Sequence, residues 1–341
     1  MTPLSIARVA DVAAARRWHA VAEATQAADY VALPQDPVEE LLPSLAGQVG
    51  GHRIELWLGT AGDVPVAVAQ IEMPLHDNTG TAVVVLMVHP EHRRQGYGRQ
   101  LLAQVLDRAR ANGRSLVITQ IGGPMEGTAP AARAPGELLA RRLGAKPVLS
   151  EIRRLLDVPS VDPRAVATLR ADAAAHAAGY TLVQWVDRAP EELHEDMATL
   201  AARMSTDAPM EDMTWEPEVW DADRYRAKED TALARGRTRV ATAVRHEASG
   251  RLVGFSDIGV NLQRPDIAYQ WETIVVTEHR GHRLGLLLKA ANLQLLQATV
   301  PGVRYINTWN AAVNTHMVAI NDALGFRPVD RWNGWQFDLP G

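Results

Sequence analysis

The sequence predicts an α/β protein made of two copies of one unit, and three observations carry that prediction. His92-Arg93 recurs as His279-Arg280, an offset of 187 residues, and a glycine follows each arginine at the same distance, at Gly98 and Gly285. An apolar, β-branched run precedes each block: Val83-Val84-Val85-Leu86-Met87-Val88 in the first and Thr273-Ile274-Val275-Val276 in the second. A leucine-rich helical pattern follows each, then a strand, then a Leu-Gly pair at Leu143-Gly144 and Leu324-Gly325. Agreement in order and spacing is the signature of a repeated unit. A chain of 341 residues has room for two cores.

The elements of the first copy follow from local signals. Leu4-Ser5-Ile6-Ala7-Arg8-Val9 alternates like a strand, and Asp11 is placed to N-cap a helix beginning at Val12. A buried strand is expected to end at Val88, and Arg93-Arg94-Gln95-Gly96-Tyr97-Gly98 to make a turn. From about Gly98 a helix carries Leu101, Leu102, Val105, Leu106 and Ala109 on one face and stops at Asn112-Gly113. Gly122-Gly123-Pro124 and Ala129-Pro130-Ala131 read as a loose loop. Val158-Pro159-Ser160-Val161-Asp162-Pro163 reads as a linker, followed by an alanine-rich helix from about Arg164 to Ala177 that stops at Gly179. In the second copy Thr181-Leu182-Val183-Gln184-Trp185-Val186 alternates again, and a helix opens near Pro190-Glu191-Glu192. The expected domains are therefore 1–157 and 179–341, joined by a linker over 158–178.

Composition narrows the function. With 47% hydrophobic and 22% charged residues the chain is of ordinary globular type. It has no cysteine, which excludes disulfides, thiolate zinc sites, iron–sulfur clusters and a cysteine nucleophile together. A net charge of −5 argues against a nucleic-acid partner bound through phosphate neutralisation. Met1-Thr2-Pro3 leads straight into the alternating stretch without the pattern of a signal peptide, and no run approaches the ~18 apolar residues of a membrane span. The expected setting is cytoplasmic, with no membrane partner. The oligomeric state is not encoded in any of these signals. Lys146, Lys228 and Lys289 are the only lysines, and the arginine excess carries no mechanistic reading.

The turn is where chemistry enters. A tight glycine turn opening a helix leaves several N–H groups unpaired and convergent, backed by the helix dipole, which makes a site sized for a phosphate or pyrophosphate. The glycines allow close backbone approach, and flanking arginines add forked donors. No Gly-Lys-Ser/Thr follows, so the turn is not a Walker loop, and it lacks the dinucleotide Gly-x-Gly-x-x-Gly. His89 with His92, and His279 with His282, are three apart but have no carboxylate cluster, so solvent-facing turn histidines are expected rather than a metal.

Strand, Arg-x-x-Gly-x-Gly, helix, strand, then Leu-Gly-Phe resembles the GCN5-related N-acetyltransferase (GNAT) superfamily. Arg93 to Gly98 matches its acetyl-CoA signature at every defined position. Arg280-Gly281-His282-Arg283-Leu284-Gly285 departs at the fourth, where Arg283 replaces glycine. The resemblance covers nearly the whole chain as two tandem folds, each implied to be a mixed, mostly antiparallel, splayed sheet flanked by helices. It implies acetyl-CoA as acyl donor, the primary amine of a small molecule as acceptor, and no metal.

The resemblance also implies a residue set. The donor would lie against Met87, Val88, Arg93, Arg94, Gln95, Gly96, Tyr97, Gly98 and Arg99 in the first copy. In the second it would lie against Val275, Val276, Arg280, Gly281, His282, Arg283, Leu284 and Gly285. Backbone N–H groups near Val88 and Val276 would hold the thioester carbonyl. Glu272 stands where family members often carry a base, while the first copy has Val85 there. Asn310 and Asn314 match the family helix that contacts the coenzyme arm. The family's usual tyrosine, four residues before the Leu-Gly glycine, is replaced by Ala140 and Asn321. Turnover is thus expected in the second copy. Another acyl donor, a protein amine, or a non-catalytic coenzyme-binding module are the alternatives. Met210, Met213, Trp215 and Trp220 alternate with Glu211, Asp212, Glu216, Glu218, Asp221 and Asp223. That stretch suits a wall for a cationic amine or an amphipathic lid with a solvated acidic face.

Overall fold

A computed structural model describes residues 3–125, 135–207 and 209–340. Its elements fall into two compact units that do not follow the chain in two simple blocks: the first takes residues 1–151, 211–214 and 330–341, the second 152–210 and 215–329.

The first unit begins with β1 (Leu4–Arg8) and α1 (Val12–Asp29). The Asp11 side chain caps α1 by accepting from the Ala14 N–H at 2.7 Å. There follow β2 (Gln48–Val49), β3 (His52–Ala61), β4 (Val64–Pro74), β5 (Thr81–Val88), α2 (Tyr97–Ala111), β6 (Leu116–Pro124), α3 (Pro135–Arg142) and β7 (Lys146–Asp157). Alternation along β4 sends Ala67, Ala69 and Ile71 toward α2, against Leu101, Val105 and Ala109, and Val68 toward Trp18 and Val21 of α1. The sheet is thus clad on both faces. Gly122, Gly123 and Pro124, expected in a loop, extend β6 instead, while Ala129-Pro130-Ala131 lies outside the described residues.

The second unit takes the later part of β7 and continues with α4 (Pro163–Ala174), β8 (Tyr180–Val186), α5 (His194–Asp207), α6 (Ala222–Ala234), β9 (Arg237–His246) and β10 (Leu252–Asn261). It ends with β11 (Ile267–Val275), α7 (Leu284–Thr299), β12 (Tyr305–Ala311), α8 (Thr315–Leu324) and the start of β13 (Arg327–Asp338). The alanine-rich helix is α4, which belongs to this unit. Ala290, Leu293 and Leu296 of α7 pack on Ile258, Ala268 and Ile306. Met197, Leu200 and Tyr225 of α5 and α6 pack on Ala241, Phe255 and Ile274 on the opposite face.

From Asp330 onward β13 enters the first unit and pairs antiparallel with β6, from Asp330↔Pro124 to Asp338↔Leu116. The first sheet runs β1-β3-β4-β5-β6-β13-β7, and the second β7-β12-β11-β10-β9-β8. The mixed, mostly antiparallel character expected of each sheet is present: β5–β6 and β11–β12 are parallel, and the hairpins around them antiparallel. No helix among the described residues is long and apolar enough to cross a membrane.

Candidate functional site

Both units open at the same place. β5 and β6 pair only through Thr81↔Leu116, Ala82↔Val117 and Val83↔Ile118, yet β5 runs on to Val88 and β6 to Pro124. Likewise β11 and β12 pair only from Ile267↔Tyr305 to Tyr269↔Asn307, while the strands continue to Val275 and Ala311. Each parallel pair therefore diverges into a cleft lined by backbone groups. Such groups need partners.

The turns beyond β5 and β11 share one conformation. The second and fourth positions of each motif are left-handed: Arg94 (φ 66°) and Gly96 (φ 81°) in the first, Gly281 (φ 89°) and Arg283 (φ 54°) in the second. Glycine has exchanged places with arginine, and the backbone has not changed. A non-glycine residue there costs roughly 1–2 kcal/mol, so each turn tolerates one strained arginine. Gly96 and Arg283 are the N-caps of α2 and α7, and neither helix has a side-chain cap. The first helical bonds come from the Gln100 N–H to Gly96 and the Leu287 N–H to Arg283. The N–H groups of Tyr97, Gly98 and Arg99, and of Leu284, Gly285 and Leu286, are left with no carbonyl of their own helix. Both copies thus present three unpaired N–H groups at a helix N-terminus, beside the mouth of the cleft.

The first arginine of each motif braces the turn from its side chain. Arg93 donates through Nε to the Val88 carbonyl at 3.2 Å and through both Nη atoms to Asp29, at 2.9 and 2.7 Å. Arg280 repeats this with Val275 (3.1 Å) and, more loosely, with Asp207 (3.8 Å). Asp29 and Asp207 close α1 and α5, a role no local signal in the sequence announces. Arg283 pairs with Asp172 of α4. Arg94, Gln95, Arg99, Gly281 and His282 are exposed, and Tyr97 is core.

Of the strand groups, the Val276 N–H donates to the Val253 carbonyl at 3.0 Å, as the equivalent His89 N–H does to Val66 at 2.9 Å. Alternation turns the Val275 and Val88 amides the other way, toward the cleft. Met87 packs against the α1 cluster.

β11 differs from β5 in one respect. Its register with β10 slips between Ser256 and Ile258, so Trp271 and Glu272 both oppose Asp257. Asp257 fills the gap, accepting the Glu272 N–H at 2.9 Å while its other oxygen takes Arg239. The Glu272 carboxylate is half-buried and holds Lys228 of α6 at 2.8 and 2.6 Å. The β4–β5 register is regular across Val85.

Asn314 N-caps α8 through the Met317 N–H (3.2 Å), and Asn310 accepts from Asn321 at 2.5 Å. Asn321 is fully buried, and its Oδ1 has no partner among the described residues. The unpaired helix N–H groups, the diverging strands and this orphaned oxygen fit an elongated ligand with an anionic head and an amide-bearing arm.

His279 is engaged rather than solvent-facing. Its Nδ1 is 2.9 Å from the Tyr180 hydroxyl and its ring 4.7 Å from that of His246. Burial, then the His246 and His282 charges, push its pKa below the ordinary value. Among the described residues no group of three or more His, Asp or Glu side chains is placed to hold a metal. The aromatic and acidic stretch is largely satisfied from within. Glu218 accepts both the Trp215 and Trp220 indoles (3.2 and 2.8 Å), and Arg224 covers the Trp220 ring at 4.3 Å. Residues 211–214 leave it for the first unit.

The Acetyltransferase (GNAT) family profile matches residues 18–122. No curated protein matches by sequence. Among solved structures, the chain is similar to a tandem GNAT protein from the clavulanic acid biosynthesis pathway, at 29% identity and a TM-score of 0.81, covering 99% of both chains. It shares its fold with a GCN5-related N-acetyltransferase from Sphaerobacter thermophilus (18% identity, TM-score 0.67, 100% of this chain and 98% of that one). The same holds for a putative acetyltransferase from Pyrococcus horikoshii (13%, 0.57, 99% and 90%). With the repeated turn, the paired clefts and a match over its whole length, the chain is built as two GNAT folds in tandem, the first of which carries the Acetyltransferase (GNAT) family profile.

Proposed function

We propose that the chain transfers the acetyl group of acetyl-CoA to the primary amine of a small molecule by direct attack, and that the second unit performs the turnover. The observation that carries this reading is the conjunction, at β11, of a turn with unpaired helix N–H groups, a cleft and a bulge carboxylate. When bound, acetyl-CoA supplies an activated acyl group, so no side chain need be acylated, in keeping with a chain without cysteine. The Leu284, Gly285 and Leu286 N–H groups and the α7 dipole bind its pyrophosphate. The Val275 N–H holds the thioester carbonyl and the negative charge that grows on it, a contribution of roughly 3–4 kcal/mol per donor. Asn321 Oδ1 offers an acceptor to an amide of the arm. Glu272, oriented by Lys228, takes the ammonium proton directly or through water. With asparagine in place of the family tyrosine, the leaving thiolate takes its proton from solvent. The first unit, with Val85 at the place of Glu272, binds the coenzyme through its own turn. A cytoplasmic setting goes with this donor.

The test is thiol release from acetyl-CoA by the full chain across a panel of primary amines. Glu272→Gln should lower the rate by about 100-fold, the usual scale for a general base, and leave acetyl-CoA affinity unchanged. An unchanged rate would remove Glu272 from the mechanism, and no amine-dependent release from the parent would refute the transferase reading itself.

A further inference from the structure

The first unit lacks a counterpart of Glu272 on β5, but it holds another carboxylate beside its cleft. Val117 of β6 packs in the α2 cluster, so alternation places Gln120 and Gly122 on the opposite, α1 face. Gly122 confirms the direction: a Cβ there would lie 2.7 Å from Tyr30, just past α1, and from Trp332 of β13. Gln120 stands two residues beyond Ile118, the last β6 residue paired with β5, and therefore at the lip of the cleft. Its Nε2 donates to Glu151 Oε2 at 2.9 Å. The bond reaches across β13 beside Gly334, the residue paired with Gln120, which has no side chain of its own.

The segment 211–214 is fastened onto this same face. The Asp212 N–H donates to Val148 at 3.0 Å, and Gln336 clamps Thr214 twice, accepting its N–H and donating to its hydroxyl, both at 2.9 Å. Met213 and Leu149 both lie against Gly334. Glu211, in a left-handed conformation (φ 45°), is held near enough to Glu151 for the two carboxylates to repel. Four separated stretches of chain thus converge on one half-buried carboxylate, and a strained residue sets a second beside it.

We infer that Glu151 is the proton acceptor of a second acyl-transfer centre, in the first unit, that takes primary ammonium acceptors. This rests on the transferase reading above and extends it from one unit to both. The α2 N-terminus would hold the coenzyme phosphates at one side of the β5–β6 cleft, so an acceptor would reach the thioester from the α1 face, where Gln120 and Glu151 lie. Glu211 adds negative charge that draws an ammonium in. In the step, the ammonium loses one proton to the Glu151 carboxylate. The freed amine nitrogen forms its bond to the acyl carbon while the C–S bond breaks with its electron pair on sulfur. The second nitrogen proton passes through water to the thiolate, so the products are the amide, the CoA thiol and the proton held by Glu151.

Burial, reinforced by Glu211, pushes the Glu151 carboxyl up to about 7. A base poised near neutrality suits proton removal from an ammonium. Three charged groups on the elements around it have partners of their own. Arg153, two residues on along β7, donates to Asn307, Asp330 of β13 accepts the Trp332 indole, and Asp29 is held by Arg93.

The experiment uses the full chain in the Glu272→Gln background, so that the second unit contributes least. Thiol release from acetyl-CoA is measured with n-butylamine, which is cationic at neutral pH, and with hydroxylamine, which is largely uncharged and needs no base. Glu151→Gln should lower the butylamine rate by about 100-fold, remove its rise with pH around neutrality and spare the hydroxylamine rate. Glu151→Asp should restore part of the loss. Equal loss with both nucleophiles, or none with butylamine, overturns the inference. A parent chain inert toward both amines overturns the transferase reading and this inference with it. A readout independent of turnover is the thermal midpoint. A carboxyl raised in the folded state weakens folding as pH climbs from the unfolded to the folded value, so Glu151→Gln should raise the midpoint at pH 8 and not at pH 4. The same shift at both pH values would count against the placement of Glu151.

Discussion

Lys289 lies on α7 with 2% of its surface exposed, its Nζ 5.5 Å from the centre of the Phe326 ring. Among the described residues no carboxylate forms an ion pair with it, since the nearest attraction, from Asp257, is directed to Arg239. Burial drives its ammonium from the ordinary 10.5 down to about 7. The folded protein therefore binds this proton less tightly than the unfolded chain does, and stability is lost as pH falls from the unfolded value toward the folded one. Replacing Lys289 with methionine, of similar length and no charge, should recover that loss. Linkage across this gap gives about 4 kcal/mol near pH 7 and about 1 kcal/mol near pH 10. The assay is denaturant unfolding of the second unit, followed by hydrogen exchange in α7 and β10, at both pH values. A gain that does not shrink with rising pH, or a loss of stability at both, would refute the reasoning.

Two further outcomes follow from the turn and the strand exchange. Gly96→Asp sets a carboxylate at the N-terminus of α2, in space that is otherwise open, while Gly96→Asn tolerates the same backbone without charge. Calorimetry on the full chain should show the aspartate variant losing one acetyl-CoA equivalent and the asparagine variant keeping it; equal binding by both would show that the turn does not hold the phosphates. Deleting residues 330–341 removes the strand paired along the length of β6. Hydrogen-exchange protection of β6 and α2 should collapse, and unchanged protection there would show that the first unit does not depend on β13.

Local chemistry was the legible part. The repeated turn, the Asp11 cap, the α2 face and the Leu-Gly pair each follow from spacing over a few residues, and each is where the sequence places it. The bulge at Glu272 and the pairing of β13 with β6 were not. A β-strand records which of its faces is buried, and says nothing about which distant strand completes its hydrogen bonds. Gly122 and Gly334 look like loop glycines until Tyr30, Trp332, Met213 and Leu149 are seen to occupy the space a Cβ would need. Glu151 carried one weak sign, a charge inside the apolar run Val148-Leu149-Ser150-Glu151-Ile152. Within the acidic stretch Glu218 answers the indoles of Trp215 and Trp220, a pairing that composition cannot express.

The route of β13 has a consequence for synthesis. A ribosome adding roughly 5–20 residues per second completes β6 long before residue 330 exists, so the β6 edge waits for tens of seconds without its partner. During that interval the nascent first unit presents a sticky, unpaired ladder, the kind of edge that invites pairing with another chain. Folding of this protein is therefore not strictly vectorial: the amino-terminal half cannot mature ahead of the carboxyl-terminal half. A premature stop anywhere in the second half would release a first half deprived of its closing strand, and quality control would see one failure where the gene carries two copies.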